Sequence, residues 1–464
     1  MVPLWVITAV PIRVETNSLI PSGLPDPVIL LPPFLPPLFL RFMPWAVAIS
    51  LAFAFVASFQ SDATAVNAVP TRLLMILLIS CLFIDINRRL SHQKIGSQLL
   101  SFLNGGSLIV YTLFVYVAQD YPQIVRINWQ LDRWVLVDDL ILIAPLVMTV
   151  MSAWATQACP QESVDGWSRL QCATSSVRHF LLLPLAPILL VLIAADLAHF
   201  VTPGDHKVEA FAAVAAIGAF LLLAPFLLRI CWKTEPFPSG PVRNELESIF
   251  TSRRLGIRDI RVWQTNSRIA NAILTGILPR CRFLFLSDEL VHRVKKEKLK
   301  AIVAHEAGHI RHAHLMQLLL SLQVPFLSML FLQQAITHGK FAPDTNPWFG
   351  MSALLLGWLF IHARLARAFE HQADIEACYI LADQTTLNPA TVTTLGEALT
   401  RVAGGSSGSD WLHPSVVSRI AVLNYLAKNS GRERVFQRRL QQVRILLILK
   451  VSILLIGLIA LLMI

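Results

Sequence analysis

Ala301-Ile302-Val303-Ala304-His305-Glu306-Ala307-Gly308-His309 is the stretch on which the reading of this chain turns. It opens apolar and contains no proline, which suits a helix, and helical residues four apart share a face. His305 and His309 therefore offer two imidazoles to one point, with Glu306 beside them. A helix with this spacing can hold a divalent metal and set a carboxylate to take a proton from water. Two unrelated helical histidines have the same spacing, so the surroundings must decide.

Nearby, the chain reads as a solvated region. Residues 232–313 contain 15 Lys/Arg against 8 Asp/Glu. Ile260-Arg261-Val262-Trp263 and Arg282-Phe283-Leu284-Phe285-Leu286 read as strands. Ser287-Asp288 is a helix-start signal, and Lys295 to Ala313 reads as one long helix holding the motif.

Farther out the composition reverses. Over 464 residues, 55% are hydrophobic, 15% are charged and the mean hydropathy is +0.59. Soluble domains have about 25% charged residues, so a wholly soluble enzyme is excluded. Apolar runs of about spanning length occur near 43–60, 65–87, 98–119, 134–156, 179–200 and 209–231, again near 315–337 and 348–366, and finally at 444–464. Pro70 and Arg72 interrupt the second. Before them, residues 1–42 are too rich in proline for a regular helix. Their apolar stretch precedes the first cation, Arg13, the reverse of a secretory signal.

The expected division is therefore a Pro-rich segment 1–42, about six spans in 43–231, a catalytic region 232–313 and a membrane hairpin 314–366. A second catalytic segment, 367–443, and a terminal span, 444–464, complete it. The formal charge of +10 does not point to nucleic acid, because its cations gather in loops on one side of the spans, at Arg88, Arg89, Lys94, Arg169, Arg178, Arg229 and Lys233. By the positive-inside rule that side, with the motif, is cytoplasmic. Cys159 and Cys172 are then expected to stay reduced.

A catalytic zinc needs a third protein ligand and one open position. The pattern with a third histidine six residues on requires Gly at 312 and His at 315; the chain has His312 and Leu315. Between His309 and Glu370 the only carboxylate is Asp344, in the turn expected across the membrane. Glu370 is the first acid able to reach the motif. Asp374, one helical turn on, can hold a ligand histidine through its second ring nitrogen. His312, His314, His338, His362 and His371 read as helix-end or interfacial residues without a metal role.

His305-Glu306-Ala307-Gly308-His309 followed by Arg367-x-x-Glu370-x-x-Ala373-Asp374 resembles the HtpX and CAAX-prenyl-endopeptidase family of integral-membrane zinc metallopeptidases. Asn271-Ala272 before Gly276, and His413-Pro414 before Arg419-Ile420, fit the same family over about 250–425. The resemblance implies one zinc per chain on His305, His309 and Glu370, with Glu306 as general base. It further implies that His413 and Arg419 stabilise an oxyanion or gate the site, and that Asn271 and Ala272 lie on a substrate-lining edge strand.

The expected fold is mainly α: a polytopic membrane protein with a cytoplasmic zincin-type region containing a small β-sheet. The expected activity is peptide-bond hydrolysis in membrane-associated or misfolded proteins, with a protein or peptide substrate and the lipid bilayer as partners, and a bacterial inner membrane as location. Two alternatives stay open. One is a BlaR-type sensor-transducer acting on a regulator, although such proteins carry an extracellular sensor that this chain lacks after residue 464. The other is a non-catalytic membrane scaffold with a vestigial zinc site.

Overall fold

The computed structural model describes residues 69–92, 107–108, 110–131, 134, 136–157, 183–203, 206–265, 270–337, 347–402 and 412–462. The Pro-rich segment, the expected run at 43–60 and the Cys159–Cys172 loop lie outside them. The chain divides into two compact units at Trp232/Lys233.

The long described helices of the first unit are α1 (Val69–His92), α2 (Val137–Gln157), α3 (Leu183–Val201) and α4 (His206–Cys231). The run expected to span at 98–119 is not one straight helix where it is described. It passes through π-helical turns at Phe114–Ala118 and Ile124–Asn128, with Asp120 between them in a left-handed conformation. Tyrosines from this segment satisfy the backbone of α2. Pro145 has no N–H for the carbonyl of Ile141, and the Tyr121 hydroxyl donates to that carbonyl at 3.2 Å. Tyr116 and Tyr111 donate to the carbonyls of Leu142 and Pro145.

The second unit is built on a four-stranded sheet in the order β1-β2-β4-β3: β1 (Thr234–Pro236), β2 (Asp259–Trp263), β3 (Ala272–Thr275) and β4 (Phe283–Ser287). β2 and β4 run parallel with Ile260 opposite Leu284, while β3 pairs antiparallel along the far side of β4 and forms an edge. Gly276 makes the β3–β4 connection possible. Its φ is +104°, and a Cβ there would lie 2.4 Å from the carbonyl oxygen of Cys281.

Around the sheet are α5 (Pro241–Ser252), α6 (Asp288–Arg293), α7 (Lys296–Arg311), α8 (His314–Thr337), α9 (Pro347–Ala382), α10 (Pro389–Val402), α11 (Val416–Lys428) and α12 (Ser430–Leu462). Ser287 caps α6 through the N–H of Leu290, as its Ser-Asp signal implied. Ile249, Leu284, Val303, Ile375, Leu395 and Leu423 meet in one core that joins five helices to the sheet.

Two boundaries differ from the sequence reading. The apolar run 348–366 and the acidic stretch after it form one helix, α9, because neither Pro nor Gly interrupts the chain between Gly357 and Ala382. The terminal run likewise begins earlier, since the polar stretch from Ser430 is helical and leads into the apolar one. Among the described residues, three helical stretches are long and apolar enough to cross a membrane: Val69–Arg89, Phe211–Cys231 and Ser430–Gly457. The protein is thus mainly helical with a small sheet, as expected of a membrane protein of this composition.

Candidate metal centre and its supports

α7 brings His305 and His309 to one face, and α9 lies across it. They come close at Gly308, where a Cβ would stand 2.9 Å from the carbonyl oxygen of Ala373. Only a hydrogen fits there, which allows Glu370 to come within reach of both histidines. The Glu370 carboxylate oxygens lie 3.5 Å from His305 Nε2 and 3.5 Å from His309 Nε2, and the two Nε2 atoms are 3.1 Å apart. The three ligand atoms lie within 4.8 Å of one another. Two imidazole nitrogens and one carboxylate oxygen on a single face are a donor set that fits zinc.

Each element of this cradle is supported from behind. His305 Nδ1 is 3.0 Å from Asp374 Oδ1, so the ring is oriented by a carboxylate. Asp374 is fully buried and receives Arg419 at both oxygens, 2.8 Å from Nε and 2.6 Å from Nη2. The third guanidinium nitrogen, Nη1, lies 3.3 Å from Glu370 Oε2. His413 Nε2 lies 3.7 Å from the other Glu370 oxygen, with its side chain 25% exposed.

These contacts set the charges. Burial alone would raise Glu370, but the charges of His413 and Arg419 and a hydrogen bond with His305 hold it well below the usual carboxylate range. Burial would also raise Asp374, yet Arg419 and His305 bring it down to about 2. Burial and the Arg419 charge push His305 down, and its bonds to Asp374 and Glu370 outweigh them, lifting it to about 9. Burial holds His309 well below the ordinary histidine value, with the charges of His305 and His314 adding to it and that of Glu370 opposing it. A protonated His305 can donate from Nε2 to His309 Nε2, 3.1 Å away.

Glu306 points elsewhere. It accepts a hydrogen bond from the backbone of Leu274 on edge strand β3, and burial pushes its pKa up to about 7 against the opposing charge of His305. The Glu306 carboxylate is thereby next to the side of β3 that does not pair with β4. Asn271 and Ala272 open that strand, but the Asn271 amide oxygen accepts the Ala272 N–H at 2.9 Å and makes no hydrogen bond to the cluster. Asn271 fixes the entry of β3.

The sequence reading missed His314. Ala313 takes a left-handed conformation (φ 52°), which ends α7 and turns the chain so that α8 begins at His314. His314 Nδ1 lies 2.9 Å from His309 Nδ1, and its fully buried ring stacks 4.3 Å from that of Phe369. Spacing could not reveal this, because i and i+5 do not share a helical face and nothing in Ala313 announces a helix end.

Known proteins resemble this region in sequence. Residues 241–427 match the Peptidase family M48 model. The CAAX prenyl protease 1 homolog of Arabidopsis thaliana is 27% identical over 216 residues, 41% of this chain and 49% of that protein. A Protease HtpX homolog of Aeropyrum pernix is 22% identical over 191 residues, 38% of this chain and 59% of that protein. The CAAX prenyl protease 1 of Saccharomyces cerevisiae is 21% identical over 257 residues, 47% of this chain and 55% of that protein. The chain thus spans about half the length of the curated relatives it matches. The crystal structure of S. mikatae Ste24p is similar with a TM-score of 0.48 at 16% identity, covering 76% of this chain and 97% of that one.

Proposed function

For a chain carrying an M48 peptidase domain at residues 241–427, we propose the activity of a membrane-embedded zinc metalloendopeptidase. The observation that supports this best is the convergence of His305, His309 and Glu370 beside a carboxylate, Glu306, that borders an open strand edge.

One zinc per chain would be held by His305, His309 and Glu370, and would supply the Lewis acidity that polarises a peptide carbonyl and acidifies water. Glu306 takes the proton from the attacking water and later delivers it to the leaving amine; a carboxylate raised toward neutrality suits both transfers. The substrate lies extended along β3 and pairs through its backbone, which favours unfolded segments and membrane-associated proteins over folded ones. Asn271 and Ala272 set the start of that strand. His413, partly open to solvent and next to Glu370, stabilises the oxyanion. Arg419, engaged by Asp374 and Glu370, positions those two carboxylates instead. The site faces the cytoplasm, and the membrane is a bacterial inner membrane.

The test is to purify the chain in detergent, measure bound zinc, and compare cleavage of casein and of the chain itself with Glu306→Gln. The expected result is equal zinc and a loss of about 10²–10⁴ in rate. Equal activity in the two proteins would falsify the mechanism, and mapped cleavage products would separate a broad protease from one acting on a single regulator.

A further inference from the structure

The two candidate ligand histidines are supported differently. His305 rests on the Asp374 carboxylate, whereas His309 rests on another imidazole. His314 presents Nδ1 to His309 Nδ1 at 2.9 Å and Nε2 to Gln372 Oε1 at 3.0 Å. Gln372 Nε2 in turn donates to Gln437 Oε1 at 2.5 Å. His314 and Gln372 are both buried, and Phe369 stacked on the His314 ring fixes its plane.

We infer that Gln437, Gln372 and His314 form a hydrogen-bond relay that sets the tautomer of His309 and so keeps its Nε2 lone pair available to a metal. The direction is dictated by the order of groups. Gln372 offers its carbonyl oxygen to His314, so His314 Nε2 must be the donor. A neutral imidazole that donates from Nε2 has only a lone pair at Nδ1. His309 must then donate from its own Nδ1, which leaves its Nε2 unprotonated on the face shared with His305 and Glu370. Were the Gln372 amide turned over, every link would reverse, and His309 would present Nε2–H where the metal needs a lone pair. The relay runs from α12, one of the candidate membrane spans, through α9 and α8 to α7. These three are positioning residues, since none touches substrate or metal.

The inference rests on the zinc reading of His305, His309 and Glu370, and the experiment separates the two. Zinc affinity is measured by competition with a chromogenic chelator for the wild type, His314→Leu, His314→Gln and Gln372→Leu. The absorption of the cobalt-substituted proteins serves as a spectroscopic check on ligand geometry. Glutamine at 314 can accept from His309 with its oxygen and donate to Gln372 with its nitrogen, as the imidazole does; leucine can do neither. Loss of such outer support weakens metal binding about 10–100-fold, so that loss is expected for His314→Leu. Gln372→Leu should show a smaller loss, and His314→Gln should recover most of the affinity and the wild-type cobalt spectrum.

Wild-type affinity in His314→Leu, or equal damage by leucine and glutamine, would overturn the relay and leave the zinc reading standing. A wild-type chain that binds no zinc overturns both. Should the leucine variants fail to fold, nitrogen NMR of the histidine side chains in the metal-free wild type decides. A proton on His309 Nδ1 and none on His314 Nδ1 upholds the relay, and the reverse pattern overturns it.

Discussion

The second unit gathers His305, His309 and Glu370, and the first gathers Asp138, Asp139 and Asp196, each set with ligand-type atoms within 4.8 Å of one another. By proximity alone the two clusters look alike. Their surroundings separate them. Arg126 reaches into the aspartates, with Nε 2.9 Å from Asp138 and Nη2 3.3 Å from Asp139, and Asp196 accepts the N–H of Leu136 at 2.7 Å. That cluster has a cation and a backbone donor within it, which offset part of its negative charge. In the other, Arg419 is held by Asp374, 3.3 Å from one Glu370 oxygen and 3.3–3.4 Å from the His305 ring nitrogens, while the Nε2 atoms of His305 and His309 are 3.1 Å apart. Proximity of three candidate ligands is thus not enough; the clusters differ in donor set, two imidazoles and a carboxylate against three carboxylates, and in that Arg419 is also held by a fourth residue, Asp374.

The sharpest way to break this contrast is to remove a ligand. Glu370→Ala should abolish stoichiometric zinc binding and all proteolysis, read by metal analysis and a casein assay; retained zinc would mean that the acid behind His413 is not a ligand. Next is Asp374→Asn, which removes the carboxylate from His305 and leaves Arg419 without its bidentate partner. Zinc affinity should fall about 10–100-fold with Glu370 intact.

In the first unit, Arg126→Gln should lower stability by about 2 kcal/mol through loss of its buried carboxylate partners. Its zinc content should be unchanged, and a second zinc equivalent appearing in this variant would show that the charge had been masking a site. The smallest effect is in protons. His305, raised to about 9, gains its proton on folding and keeps it at neutral pH in the metal-free chain. Its raised value stabilises the metal-free fold below the unfolded histidine value, and that stabilisation disappears as pH rises through about 9. Zinc must displace the proton, so binding at pH 7 should release about one proton per chain and tighten as pH rises toward 9, read from enthalpies in buffers of different ionisation heat. No proton release would mean that His305 is already neutral.

Legibility in the sequence tracked the range of the interaction. The His305–His309 face is a matter of helical period, and Glu370 was reachable by elimination because so few acids intervene. The membrane character and the sheet's two central strands were legible from apolar runs and alternation. β1 and β3 were harder, being three and four residues long and held by pairing rather than by their own pattern. The contact between His314 and His309 was invisible, since it depends on one left-handed alanine and on Phe369 arriving from α9. Arg419 was visible as a residue of interest, but its engagement by two buried carboxylates is a fact of packing between α9 and α11.

The unbroken course of α9 restricts how the protein can change over evolutionary time. Each residue inserted or deleted in an α-helix turns the remainder of that helix by about 100° and shifts it about 1.5 Å along the axis. A single insertion between Gly357 and Glu370 would therefore turn the glutamate relative to the preceding stretch unless a π-bulge absorbed it. Substitutions on the outer side of this helix carry no such penalty. The number of residues between Gly357 and Glu370 is thus more tightly constrained than the identity of the exposed ones, Phe360 and Ile361 among them.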